Sequence, residues 1–518
     1  MHNLTYRSRA MSLAIFLSRT ASRAPAKTAI ICGNDRVNYQ QLFHLATCAA
    51  AAFRAQGIGE GARVAILARN SISYVAALFG LMSCGCVAVP LNTRLTGAEI
   101  ALLLTHCKPA ALVYDRASEG KLSDIPTELP PTLCLDIISH YNTTNADAPV
   151  VQPSWHDPAI ILYTAGTTGS PKGVVLTHAN LLWNTLNYTA AYCMGPADRE
   201  LAPTPLFHVS TLGRVFTYVF NAVTFILMPT FDAQTCLELI QKEKITSITQ
   251  VPTMYQMLYE TARRGCYDLS SVTRAVTGAA PMTEQGRRQL VELFPNAACY
   301  NLYGLTEASP GVTITHAGDF LKKPTSVGRP LLSVNVKVVD EHDLPVPEGR
   351  MGEIVCCGPN VMRGYYADTE ATAATLRRGW LHTGDEGFYD AEGCLYIVAR
   401  KKEIIISGGV NIYPGEVEQV LSAHPAVFDA AVVGIPDKRW GEKVVAAVVL
   451  RHAATASAED ILQFCRKRLA SFKCPKELFF LDSLPRNAAQ KLLKQDLVQQ
   501  LQRLQCSSPY GFQEKKTT

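Results

Sequence analysis

The sequence predicts an α/β protein: a large N-terminal region of parallel-rich sheets with helices, followed by a small α+β unit. Three observations predict it. Early in the chain, short apolar runs alternate with helical patterns, as in a parallel sheet buried under helices. After about residue 325 the texture changes to short strands separated by turn residues. Roughly the last hundred residues mix helical patterns with strands.

The N-terminal stretch MHNLTYRSRAMSLAIFLSRTASRAPAK has five basic residues, and no acid precedes Asp35. A targeting signal and an ordinary helix both fit it; Leu13, Ile15, Phe16 and Leu17 lie partly on one helical face, and the helix is the expectation adopted, with Met11 as an alternative start. Residues 39–57 read as a helix closed by Gly57. RVAILA (63–68) reads as a buried strand, and SYVAALFGLMSCG as a helix stopped by Gly85. VAVPLN (87–92) is the next strand, and Thr96 opens the helix TGAEIALLLTHC. AIILY (159–163) and GVVLT (173–177) are strands, with a helix starting at Thr177 or later. VNVKVVDE, GEIVCCG and CLYIVA build a small β-rich, barrel-like subdomain over about 325–400, and EIIISGG is a further short strand. EVEQVLSAHP and AEDILQFCRKRLASF are helices, and VFDAAVVGI and KVVAAVVLR strands, of the last unit.

Composition excludes several classes. With 48% hydrophobic and 18% charged residues among 518, the chain is globular and long enough for a core without staples. The net charge of +5 is spread out, and no basic cluster is longer than Arg400-Lys401-Lys402, which is too short for a nucleic-acid arm. No apolar run is long enough to span a membrane. Sixteen cysteines form no CxxC pair and no metal-ligand spacing, and most sit in apolar runs. Reduced thiols in a cytoplasmic protein are the expectation.

Residues 163–173, YTAGTTGSPKG, join two strands. Pro171 stands where a P-loop needs glycine, and no helix follows directly. Backbone N–H groups, the hydroxyls of Thr164, Thr167, Thr168 and Ser170, and the Lys172 cation still suit an anion site. A plain surface turn needs neither four hydroxyls nor the lysine.

This stretch resembles the phosphate-loop signature of the adenylate-forming enzymes: acyl- and aryl-CoA synthetases, peptide-synthetase adenylation domains and luciferases. The resemblance covers roughly residues 12–500. PLFHV (205–209), VPTMY (251–255), TGAAP (277–281), YGLTE (303–307), SVGRP (326–330), GWLHTGDEG (379–387), VARKKEIIISGGVNIYPGEVE (398–418) and PRNAAQK (485–491) follow in family order. Ala165 stands where serine is commonest, and Gln490 where glycine usually precedes the last lysine.

The resemblance implies that a carboxylic acid attacks the α-phosphate of ATP, pyrophosphate leaves, and a thiol then displaces AMP. It implies ATP, Mg²⁺ and coenzyme A as cofactors. Thr164, Thr167, Thr168 and Lys172 would hold the β- and γ-phosphates. Thr306 would touch the α-phosphate, and Glu307 would ligate Mg²⁺. Tyr303 would stack on adenine beside Gly278, Ala279 and Ala280. Asp385 would bind the ribose hydroxyls and Arg400 ribose or phosphate. Lys491 would be the mobile catalytic cation, carried by a small mobile domain (401–518) that swings about Lys402 against a large domain (1–400). Ser407, Gly408 and Gly409 would line the pantetheine channel, with Trp440 as a platform for CoA adenine.

His208 would sit at the mouth of the acyl pocket. No aspartate lies between Pro205 and Thr230, which argues against an amino-acid substrate. Arg214 in this apolar run is expected to face solvent, while Arg274, Val251, Tyr255 and Met257 are expected to border the pocket. The expected reaction is fatty acid–CoA ligation. The alternatives are an aryl acid of benzoate type, or loading of a carrier protein's phosphopantetheine. The partners expected are the acid, ATP and CoA, with a homodimer or a carrier protein as further candidates and no nucleic acid.

Overall fold

In the computed structural model, the structure describes residues 12–138, 153–164, 172–400, 403–407, 410–438, 440–452, 454–487 and 492–507. A seven-stranded sheet carries the first alternating region. Strand Arg63–Leu67 lies between Val87–Pro90 and Ala111–Tyr114, both parallel to it. It is apolar along its length because helices Tyr39–Ala55 and Gly97–Cys107 belong to the packing around it. The helix starts follow local chemistry. Thr96 accepts from the Glu99 N–H while the Glu99 carboxylate accepts from the Thr96 N–H, and Thr177 and Asn180 make the same reciprocal pair.

The second sheet has fourteen strands. Its parallel core runs through Arg199–Ala202, Thr224–Leu227, Ser247–Gln250, Arg274–Gly278 and Ala298–Gly304. Beyond Ala298–Gly304 it turns antiparallel. Strands Gly311–Ile314 and Ser326–Pro330 lead into the β-rich strands Leu395–Arg400, Trp380–Tyr389, Gly352–Cys357 and Asn335–Val339. Parallel strands share one C-terminal end, so the loops after Ala202, Gln250, Gly278 and Gly304 open at one edge, where open α/β sheets bind ligands.

The last unit is a five-stranded sheet built on the hairpin Val427–Asp437 and Gly441–Leu450. Helices Pro414–Ser422 and Ala458–Arg466 cover one face. Helix Lys494–Ser507 covers the other with Leu497 and Leu501. Among the described residues no helix is long and apolar enough to cross a membrane.

Arg214 does not face solvent. It is 4% exposed, on helix Val209–Phe220, and its guanidinium pairs at 3.7 Å with Glu200, which is fully buried. It also donates to the Thr249 hydroxyl and lies over the Tyr188 ring at 5.2 Å. A charge in this run is tolerated because a second buried charge and two aromatic faces meet it. Arg274 does not border a pocket either. It starts its strand, four residues from Gly278, and binds Asp198 at 2.8 Å and the Tyr192 carbonyl at 2.7 Å. Met257 is exposed, and the Tyr255 hydroxyl is taken up by the Ile248 and Val276 carbonyls.

Arg214→Met strands the Glu200 carboxylate in the core. A loss of about 3–5 kcal/mol is expected, read as a lower midpoint of chemical unfolding, with partial recovery when Glu200→Leu is added.

Candidate functional site

Strands Pro158–Thr164 and Lys172–Thr177 form an antiparallel pair in which Thr164 and Lys172 face each other. They are the two posts of the loop that the sequence marks for phosphate. Thr167, Thr168 and Ser170 lie outside the described residues. A two-residue strand, Gly364–Tyr365, lies antiparallel to the far side of Lys172–Thr177, with Tyr365 opposite Val174.

Thr306 and Glu307 sit in a single 3₁₀ turn, Thr306–Ala308, just past the end of strand Ala298–Gly304. The Tyr365 hydroxyl donates to Glu307 Oε1 at 2.9 Å. Lys172 Nζ lies 5.0 Å from the centre of the same Tyr365 ring. The phosphate-loop lysine and the candidate cation ligand are thus brought together through a residue the sequence reading passed over. The signal was slight: an aromatic after a glycine in RGYYAD.

The residues expected at the nucleoside come from three strands. Tyr303 donates to Asp385 Oδ2 at 2.6 Å, and Arg400 Nε donates to Asp385 Oδ1 at 2.9 Å. Asp385 and Arg400 face each other across their strand pair. Burial, and then the Asp385 carboxylate, hold the Tyr303 phenol far above its usual range, so it stays a donor. Burial works against the Arg400 charge, but Asp385, Glu403 and Tyr303 together outweigh it and hold the guanidinium above its ordinary range.

Gly278 ends its strand opposite Leu302, and Ala279 follows in the left-handed region at φ 66°. Ala279 is exposed at this edge, and Ala280 and Gly278 are half-buried. A Cβ on Gly278 would lie 2.5 Å from the Leu302 carbonyl oxygen, so glycine is required there.

His208 caps helix Val209–Phe220. Its Nδ1 accepts from the Ser210 N–H at 3.3 Å and lies 2.9 Å from the Ser210 hydroxyl. With Nδ1 accepting, the ring hydrogen is on Nε2.

In the last unit Ser407 is buried, paired with Val410 and Gly441. Trp440 is 38% exposed, anchored by its N–H to Asp437, with Lys476 5.9 Å from its ring. It is therefore no core tryptophan. Lys402, Gly408, Gly409 and Lys491 lie outside the described residues. Near Lys491, Arg486 and Leu492 form a β-bridge, and Arg486 binds Asp429 at 2.7 Å. This unit meets the large region at helix Pro252–Ala262, where Gln256 donates to the Phe428 carbonyl at 3.3 Å and Glu260 pairs with Arg451 at 3.1 Å.

Among the described residues no three His, Cys, Asp or Glu side chains come together. The candidate donor is the Glu307 carboxylate, whose Oε1 accepts from the Tyr365 hydroxyl. One carboxylate beside a phosphate site fits Mg²⁺, which binds through one or two carboxylates plus substrate phosphates.

Thr164 and Lys172 at the two posts of the loop, Glu307 linked to Lys172 through Tyr365, and the buried Asp385 between Tyr303 and Arg400 fit a nucleotide-dependent acid-activating enzyme. The comparisons agree. The AMP-binding enzyme family matches residues 17–366, and the AMP-binding enzyme C-terminal domain matches residues 416–491. The chain belongs to this family. It is 37% identical over 503 residues to an indoleacetate–CoA ligase of Aromatoleum aromaticum, covering 94% of this chain and 98% of that relative. It is 36% identical over 485 residues to a feruloyl-CoA synthase of an Amycolatopsis species, covering 92% and 96%. Among solved structures, the o-succinylbenzoate–CoA synthetase of Bacillus subtilis with ATP and magnesium ion superposes with a TM-score of 0.82 at 31% identity, over 93% of this chain and 98% of that one. The chain is an AMP-forming acid–thiol ligase that uses ATP, Mg²⁺ and CoA.

Gly278→Ala forces the Leu302 carbonyl or the strand end to move. A loss of about 1–3 kcal/mol is expected in thermal unfolding. A weaker affinity in ATP titration is expected with it, because Tyr303 directly follows Leu302.

Proposed function

We propose that this ligase activates an aromatic or arylalkanoic acid, in place of the fatty acid expected from the apolar run after His208. The observation that carries this reading is the chemistry named for its relatives: ferulate, indoleacetate and o-succinylbenzoate are all aryl acids.

In this reading the acid enters past His208, where the Nε2–H at a helix N-terminus suits a carboxylate. A carboxylate oxygen bonds to the α-phosphorus of ATP as the bond to pyrophosphate breaks. Thr164 and Lys172, with Thr167 and Thr168, hold the departing phosphates. Mg²⁺ supplies charge neutralisation at the phosphates, held on the protein side by Glu307. Thr306 donates to the α-phosphate. Tyr303, Gly278, Ala279 and Ala280 bound the adenine. Asp385 keeps acceptor capacity on both oxygens for the ribose hydroxyls, because a carboxylate oxygen takes more than one hydrogen bond. Lys491 offers its cation to the α-phosphate during this step.

The second step breaks the acyl–AMP bond. The thiol sulfur bonds to the acyl carbon, AMP leaves and the thiol proton goes to solvent. We assign the thiol channel to Ser407, Gly408 and Gly409, with Trp440 as the adenine platform of CoA. The two steps alternate by rotation of residues 401–518 about Lys402 against residues 1–400.

A panel of cinnamic, indoleacetic, benzoic and medium- to long-chain fatty acids, assayed for AMP release with and without CoA, tests the substrate class. Turnover that needs CoA and favours an aryl acid at least about 10-fold in kcat/KM over any fatty acid is expected, a factor worth about 1.4 kcal/mol. Preference for a fatty acid overturns the aryl reading, and adenylation indifferent to CoA but drained by a phosphopantetheinylated carrier overturns the CoA reading. Asp385→Ala removes two charge-assisted hydrogen bonds to ribose. Pyrophosphate exchange is expected to fall about 100-fold or more. Near-normal exchange in the folded variant would take Asp385 out of the site.

A further inference from the structure

Tyr365 is tied down from three sides. Its N–H donates to the Thr372 hydroxyl at 2.8 Å. The segment around it is stitched to both halves of the phosphate site: the Met362 N–H donates to the Glu307 carbonyl at 2.8 Å, the Arg363 N–H to the Val175 carbonyl at 3.0 Å, and the Tyr366 N–H to the Gly173 carbonyl at 2.7 Å. Its side chain then serves two opposite charges. The hydroxyl holds Glu307 Oε1, and the ring face receives the Lys172 ammonium.

Lys172 and Glu307 carry opposite charge in the same cleft, yet the cation rests on the ring and the anion on the hydroxyl. Free of Tyr365, an ammonium at the start of one strand and a carboxylate on the facing 3₁₀ turn would be drawn together. Each would then lose the charge its ligand needs, the phosphates on one side and the divalent cation on the other. We propose that Tyr365 is a positioning residue for adenylation: it spaces Lys172 from Glu307 and aims the second Glu307 oxygen at the metal. The inference rests on the reading of Glu307 as the cation ligand given above.

The test uses the full-length enzyme. Mn²⁺ binding in the presence of ATP is followed by electron paramagnetic resonance, and the two half-reactions are run separately. Tyr365→Phe removes the hydroxyl and keeps the ring. It is expected to weaken Mn²⁺ binding about 10-fold and slow pyrophosphate exchange about 10- to 100-fold. Thioester formation from supplied acyl-AMP and CoA, which needs neither metal nor pyrophosphate, stays within about twofold. Tyr365→Leu also removes the ring under Lys172 and weakens ATP binding further. Thr372→Val, which unpins the Tyr365 backbone from outside the cleft, moves Mn²⁺ affinity the same way by a smaller factor. Unchanged Mn²⁺ affinity in Tyr365→Phe, or equal loss in both half-reactions, overturns the proposal. Glu307→Ala separates the two readings: if it abolishes Mn²⁺ binding while Tyr365→Phe does not weaken it, only the positioning role fails. If Glu307→Ala leaves Mn²⁺ binding intact, the assignment of Glu307 fails with it.

Discussion

Asp385 is a carboxylate held 3% exposed, and burying such a charge costs several kcal/mol unless partners meet it. The carboxylate and its two partners come from three different strands. Tyr303 lies in the last parallel strand, Asp385 inside the long antiparallel strand Trp380–Tyr389, and Arg400 ends its neighbour. One buried charge therefore sets how the antiparallel region lies on the end of the parallel sheet. Arg400 ends its strand five residues before Ile405–Ser407, a strand of the small C-terminal unit's sheet, so the same carboxylate anchors the chain close to where that unit begins.

Around this anchor the cleft assembles by sheet geometry. The parallel strands deliver Gly278, Tyr303 and the Thr306–Ala308 turn to one edge. The seven-stranded sheet delivers Thr164 and Lys172. The two sheets share no strand. The short strand Gly364–Tyr365 connects them, because it pairs with Lys172–Thr177 while its side chain reaches Glu307. Nothing in this arrangement requires a protein-made metal cage, in keeping with a cation that arrives on the nucleotide.

The elements that were legible in the sequence are those with local chemistry. Thr96 announced a helix start, and the apolar runs 63–68 and 87–92 announced buried strands, which the structure places at Arg63–Leu67 and Val87–Pro90. The loop 163–173 stood out as a candidate anion site because hydroxyls and a lysine crowd into a few positions, and of that stretch residues 163, 164, 172 and 173 are among the described residues. What escaped needed distant partners. Arg214 looked solvent-bound because its counter-charge, Glu200, sits on a neighbouring strand of the sheet and not on its own helix. Arg274 was expected at the acyl pocket, yet four residues of extended chain carry it about 13 Å from Gly278 to the other end of the strand. Tyr365 escaped because a two-residue strand has no periodicity to read. The roles of Lys491, Gly408 and Gly409 came from resemblance, and local pattern alone would have left them as a surface lysine and a turn.

The small C-terminal unit rests on helix Pro252–Ala262 through the Glu260–Arg451 pair and the Gln256–Phe428 hydrogen bond. Both charged partners are partly exposed, and pairs of that kind contribute on the order of 0–1 kcal/mol. Dissolved salt screens the Glu260–Arg451 pair, while the apolar interiors on either side of it carry no charge for salt to screen. The contact between the two units is therefore sensitive to ionic strength at a place where their cores are not.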